Sequence, residues 1–163
     1  MVDEIHSQQT QLDFIPASEN FYPHINSYSS SEGLKQYYLE DSKWVRNESI
    51  PSFEDKEKFI DIGMQYISGD KVNSPQLFVY SRFTGDFSFY FLSEEGWALN
   101  ENIPSGKINI KSNRINADYV PSVGDRSSYI FSYTSDGSKI ELLKITENGW
   151  RQNEYFPLLL PQG

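Results

Sequence analysis

Three segments of this chain carry the same aromatic and polar side chains at the same spacing. Trp44-Val-Arg-Asn47-Glu48-Ser-Ile50-Pro51, Trp97-Ala-Leu-Asn100-Glu101-Asn-Ile103-Pro104 and Trp150-Arg-Gln-Asn153-Glu154-Tyr-Phe156-Pro157 all read W-x-x-N-E-x-[I/F]-P. An indole offers a flat π face to the C–H face of a sugar, and the Asn and Glu side chains can hold hydroxyl groups. The same residues also suit a structural joint. Trp then packs between repeated units, Asn bonds turn backbone, and Pro ends a strand. Every unit of a repeat needs the same joint whether or not it binds anything, which favours the structural role without excluding the other.

Other chemistry finds little support. His6 and His24 are far apart, with no acidic residue at metal-ligand spacing. The chain has no Cys, which excludes disulfides, thiolate zinc sites and thiol catalysis. The strained G-x-S-x-G turn of serine hydrolases, glycine-rich phosphate loops and the calcium-loop pattern are all missing. Asp136-Gly137-Ser138 reads as a turn. The carboxylate pairs Glu40-Asp41, Glu54-Asp55 and Glu94-Glu95 fall in turns and linkers, where solvation explains them. Asn47-Glu48-Ser49 is a formal glycosylation acceptor within the first motif and reads as accidental. No catalytic residue, metal ligand or cofactor site is expected, and the chain is not expected to be an enzyme.

These side chains must be held by a scaffold, and the repeat indicates which kind. Trp97 follows Trp44 by 53 residues and Trp150 follows Trp97 by the same interval; there is no other Trp. Gly33, Gly85 and Gly137 precede them within polar turns. Alternating aromatic and β-branched runs flank each turn, as in hairpins. Strands are expected over 11–16, 21–28, 34–40 and 44–51, then 58–67, 76–82, 87–93 and 97–104, then 117–120, 128–134, 139–146 and 149–157. The result is one all-β domain of three four-stranded repeats, about 11–57, 58–114 and 115–163. Segment 52–58 reads as a charged linker. The runs at 87–92 and 140–145 are apolar on both faces, which predicts central strands covered on both sides.

Bulk properties agree. A chain of 163 residues can bury a core, and 15% aromatic residues argue against disorder. The net charge is −9, from 23 acidic and 14 basic residues, with no basic run to bind nucleic acid. No apolar stretch is long enough to span a membrane. The N-terminal MVDEIHSQQTQLDF lacks the apolar core of a signal peptide. The chain therefore reads as soluble, either cytoplasmic or mature secreted.

The Gly turn, the short strands and the Gly-Trp that opens the last strand resemble the blades of small fucose-binding lectin β-propellers. The matching residues are Phe131-Ser-Tyr133, Gly137, Glu141 and Gly149-Trp150 in the third repeat, with Val79-Tyr80, Gly85 and Gly96-Trp97 in the second. The first repeat has Lys43 where the others have Gly. That family closes a ring of six blades, sometimes assembled from short chains. The resemblance implies half of a dimeric β-propeller, hence a homodimer. A β-trefoil, which also has three four-stranded units, is the alternative.

The family's sugar site uses an Arg on the second strand of the blade, a Glu on the third and a stacking Trp. Here the strand position holds Phe78 or Phe131; Arg82 lies four residues later, and Glu141 occurs only in the third repeat, against Phe89 in the second. The expected ligand-binding residues are Trp44, Trp97, Trp150, Tyr80, Tyr133, Arg82 and Glu141. The expected function is carbohydrate binding by aromatic pockets between repeats. The alternative is an acidic protein–protein interaction module, such as an inhibitor or immunity protein for a basic partner.

Overall fold

A computed structural model of the chain describes residues 9–17, 20–29, 32–54, 62–67, 74–110, 115–120, 128–134, 136 and 138–153. Among these residues there is no helix, and the fold is all-β. The first sheet runs β1 (Gln9–Ala17), β2 (Asn20–Ser29), β3 (Gly33–Glu40) and β4 (Lys43–Arg46), each strand beside the next. The middle sheet runs β5 (Ile62–Ile67), β6 (Gln76–Ser81), β7 (Asp86–Ser93) and β8 (Gly96–Leu99), with the short β9 (Gly106–Lys107) paired to β7. The third runs β10 (Ile115–Val120), β11 (Tyr129–Thr134), β12 (Ile140–Thr146) and β13 (Gly149–Gln152). Each repeat thus keeps its strands in its own sheet. A trefoil would pair strands of different repeats in a shared barrel, and no such pairing occurs among the described strands.

The described residues fall into two compact units that do not follow the repeat boundaries. The first takes the first sheet with 66–76 and 91–98. The second takes 59–65, 77–90 and everything from 99 onward.

The first and third sheets share a register. Leu12, Ile25, Tyr37 and Arg46 form one row, and Tyr119, Ile130, Leu143 and Gln152 form the matching row. One row further, Gln11, Asn26 and Gln36 match Asp118, Phe131 and Leu142. Sequence spacing extends these equivalences to the middle sheet, where Gln65, Phe78 and Phe89 stand in the places of Asp118, Phe131 and Leu142.

Glycines at the tight places explain the turns. Gly33 and Gly85 have φ of 70° and 78°, a region that costs an L side chain about 1–2 kcal/mol. A Cβ on Gly33 would stand 2.5 Å from the Phe53 carbonyl oxygen, and one on Gly85 2.3 Å from that of Ile108. The segments after the first and second motifs therefore seat directly on their hairpins, and Leu34 N–H donates to the Phe53 carbonyl. Gly96 and Gly149 also have positive φ at the turn before Trp. The first repeat solves that turn differently. Asp41 and Ser42 both adopt positive φ, the twist a two-residue hairpin needs, which frees the next position for Lys43.

The last strand of each repeat is shorter than the sequence suggests. β4 ends at Arg46 and β8 at Leu99, because the motif Asn turns the chain. Asn47 Oδ1 accepts from the N–H of Ser49, and Asn100 Oδ1 accepts from that of Asn102. The Asn carbonyls then accept from Ile50 and Ile103. The span expected for the fourth strand of the third repeat continues to 157, outside the described residues, as does most of the 52–58 linker.

Burial separates the sheets. In β6 residues 77–81 are buried on both faces, and the middle sheet holds Phe78, Phe87 and Phe89 at its core. In β11 burial alternates strictly, with Ile130, Ser132 and Thr134 buried and Tyr129, Phe131 and Tyr133 half-exposed. β12 alternates over Ile140–Lys144. The two-sided covering expected of both central strands holds for the middle sheet, whereas in the third sheet one face is buried and the other partly exposed.

Candidate binding surface

The joint between the first and second repeats lies in the first unit. Trp97 Nε1 donates to the Pro51 carbonyl at 2.9 Å. Tyr66 meets the Trp97 indole edge-on at 6.4 Å, and its hydroxyl hydrogen-bonds Gln36. Burial raises the Tyr66 hydroxyl above its ordinary pKa, with the Gln36 bond pulling the other way. The joint between the second and third repeats lies in the second unit and repeats the design. Trp150 Nε1 donates to the Pro104 carbonyl at 2.7 Å. Tyr119 packs edge-on against Phe89 at 4.7 Å and against Trp150 at 6.3 Å. Trp150 also stacks on Phe89, with ring centres 6.0 Å apart. Each joint thus joins the tryptophan of one motif to the proline of the motif before it.

The second joint has further polar contacts. Tyr119 N–H donates to Gln65 Oε1 at 2.6 Å. Ala117 N–H donates to the Tyr80 hydroxyl at 3.2 Å, and the Arg82 guanidinium hydrogen-bonds the same oxygen. Burial raises the Tyr80 pKa, while Ala117 and Arg82 partly offset it. Gly63 makes room for that ring, since a Cβ there would stand 2.2 Å from Tyr80 Cζ. Glu141 is buried, and Asn109 grips both its oxygens. Asn109 N–H donates to Oε2 and Asn109 Nδ2 to Oε1, each at 2.8 Å.

The structure places the seven expected ligand residues in four settings. Tyr80 and Arg82 meet. Trp97 and Trp150 occupy separate joints, half-buried, with their indole N–H groups engaged. Glu141 is held by Asn109. Trp44 lies on the first sheet and is 39% exposed, and Tyr133 lies on the third and is half-exposed beside Phe131. Among the described residues the Trp44 indole makes no hydrogen bond.

Backbone bonds also correct the blade alignment. Asn47, Asn100 and Asn153 N–H groups donate to the carbonyls of Gln36, Phe89 and Leu142. Those three residues are equivalent, so Glu141 corresponds to Ser88 and Lys35 and not to Phe89. Sequence reasoning missed Asn109, Gln65 and Gly63, because nothing local ties them to partners in another strand or repeat. Among the described residues no group of acidic or histidine side chains could hold a metal ion. No described helix is long and apolar enough to cross a membrane.

No protein-family model matches the chain, and no curated protein matches it. Among solved structures it is similar to a mutant of the Aleuria aurantia lectin, solved in complex with alpha-methyl-L-fucoside and with Fucalpha1-6GlcNAc. In both cases the sequence identity is 15% and the TM-score 0.48, over 90% of this chain. This chain spans 45% of the length of that lectin chain.

Proposed function

We propose that the chain is a lectin-like binding module, not an enzyme, that takes carbohydrate on aromatic surfaces between repeats. The observation that supports this is the state of Trp97 and Trp150. Each indole has its N–H bonded to a proline carbonyl and its ring oriented by a tyrosine, yet remains half-exposed. What such a ring leaves for a ligand is apolar π surface in a fixed orientation, the part of Trp that suits a sugar's C–H face. Preorganisation of this kind lowers the entropy cost of binding. Hydroxyl groups would be read by polar side chains near the joints, with Arg82 the first candidate.

Half of a propeller, completed as a homodimer, is part of the same reading. The separate sheets, each with four strands in chain order, support the blade architecture. A glycan array, followed by calorimetry with monosaccharides, tests the carbohydrate reading. Saturable binding with more than one site per chain is expected. A folded protein that binds no glycan overturns it.

A further inference from the structure

The two joints share one plan but satisfy their tyrosines differently. Tyr66 of the second repeat and Tyr119 of the third are equivalent, and each meets the joint tryptophan edge-on. The Tyr66 hydroxyl hydrogen-bonds Gln36 of the preceding repeat. The Tyr119 hydroxyl instead donates to Ser128 Oγ of its own repeat, at 3.1 Å. In the second repeat the place of Ser128 is taken by Pro75. Backbone bonds fix that equivalence: the Pro75 carbonyl accepts from Leu92 N–H, and the Ser128 carbonyl from the matching Ile145 N–H. A proline side chain has neither donor nor acceptor to offer a tyrosine.

The faces that receive the two tyrosines differ to match. The first sheet presents amides that stand opposite each other in register. Gln36 Nε2 donates to Asn26 Oδ1 at 2.9 Å, and Asn47 Nδ2 donates to Gln36 Oε1 at 2.8 Å. Asn26 and Gln36 are both buried. The middle sheet has Phe78 and Phe89 in these places, stacked on each other and both in contact with the Tyr119 ring. Phenylalanine under Tyr66 would take away a hydrogen-bond partner of a buried hydroxyl. Amides under Tyr119 would face a hydroxyl already bonded elsewhere. Either exchange strands polar groups away from water.

We propose that these residues form a pairing code that fixes the order of the repeats. Asn26 and Gln36 select the tyrosine whose own repeat carries Pro75, whereas Phe78 and Phe89 select the one whose own repeat carries Ser128. Similar repeats need such a device. The bond from tryptophan to the preceding proline carbonyl is the same at both joints and cannot tell them apart. Discrimination then comes from what the wrong pairing leaves unbonded. Buried polar groups that set register at some expense of stability act in the same way. The inference is independent of the carbohydrate reading.

Urea unfolding of the full chain tests it by converting the first joint to the code of the second in two halves. Asn26→Phe/Gln36→Leu installs the pair that the third sheet carries as Phe131 and Leu142. Alone it mismatches the joint, and the folding equilibrium constant is expected to fall about tenfold or more, as when a buried polar group loses its partner. Adding Pro75→Ser gives Tyr66 the partner that Tyr119 has, and most of that loss is expected to return. Pro75→Ser by itself should change the constant by less than about threefold. At the other joint Ser128→Ala should lower stability, and the loss should shrink in a Tyr119→Phe background. If the mismatched variant does not fold, a cooperative transition regained on adding Pro75→Ser supports the code, and its absence overturns it. The code is also overturned if Pro75→Ser has the same effect with and without the apolar pair, or if the Ser128→Ala loss ignores the Tyr119 hydroxyl.

Discussion

The middle and third sheets carry similar side chains at several equivalent positions, yet one is buried on both faces and the other is buried on one and partly exposed on the other. Phe78, Tyr80 and Phe89 are at most 2% exposed, whereas Phe131, Tyr133 and Leu142 are partly exposed. Side-chain type and strand register are alike, so the difference comes from the neighbour and not from the strand. Equivalent positions should then differ in energetic weight, and substitutions made in pairs expose that difference.

The largest contrast is expected between Phe89→Ala and Leu142→Ala. Emptying the fully buried Phe89 site should cost about 3–5 kcal/mol in urea unfolding. Leu142→Ala should cost under about 2 kcal/mol at dilutions where the chain is monomeric. Equal costs at every concentration would remove the distinction between the two sheets.

Next come the glycines. Gly85→Ala meets both positive φ and the Ile108 carbonyl, whereas Gly149→Ala has positive φ and nothing within 4 Å. Gly149→Ala should cost about 1–2 kcal/mol and Gly85→Ala clearly more. Thermal melts of the two variants compare them directly. Identical melting temperatures would contradict the seating of the linker on the hairpin.

A smaller effect separates the tryptophans. Trp97→Phe keeps an aromatic ring but leaves the Pro51 carbonyl without its indole donor. That should cost about 1 kcal/mol, while Trp44→Phe in the monomer should change stability by less than about 0.5 kcal/mol. Chemical denaturation at low protein concentration checks both.

The smallest concerns Asp136. Its carboxylate accepts hydrogen bonds from the Thr134 hydroxyl and from Ser138, which hold its pKa down at about 2 from an ordinary 3.8. A depressed folded value means that the contribution is complete above 3.8 and is lost as pH falls toward about 2. The group is fully solvent-exposed, so the effect should be local. An NMR titration should give a midpoint near 2 for Asp136, with amide exchange of Ser138 and Lys139 rising over the same range. A midpoint at the ordinary value would remove the turn bonding.

Much of this fold was legible because it is local. The Trp interval, the positive-φ glycines and the alternating aromatics mark the repeats, and the strand boundaries mostly follow. The motif Asn shows the limit. W-x-x-N-E-x-I-P looks like one strand, yet Asn47 and Asn100 end it by bonding the backbone two residues ahead. Contacts across repeats left no local trace. Nothing near Glu141 points to Asn109, and nothing near Gln65 points to Tyr119, since those partners are brought together only when sheets pack. The one-residue misalignment of Glu141 with Phe89 has the same origin. Adjacent residues of a strand face opposite ways, so a slip of one exchanges the two faces.

The central claim is that Trp97 and Trp150 occupy equivalent joints with their indole N–H groups engaged, whereas the Trp44 indole makes no hydrogen bond among the described residues. Indole N–H exchange, followed for each tryptophan by ¹⁵N NMR over a range of protein concentrations, tests it most directly. Trp97 and Trp150 are predicted to be protected, and Trp44 to exchange faster than either. Fast exchange at Trp97 and Trp150, or protection of Trp44 equal to theirs, would contradict the account.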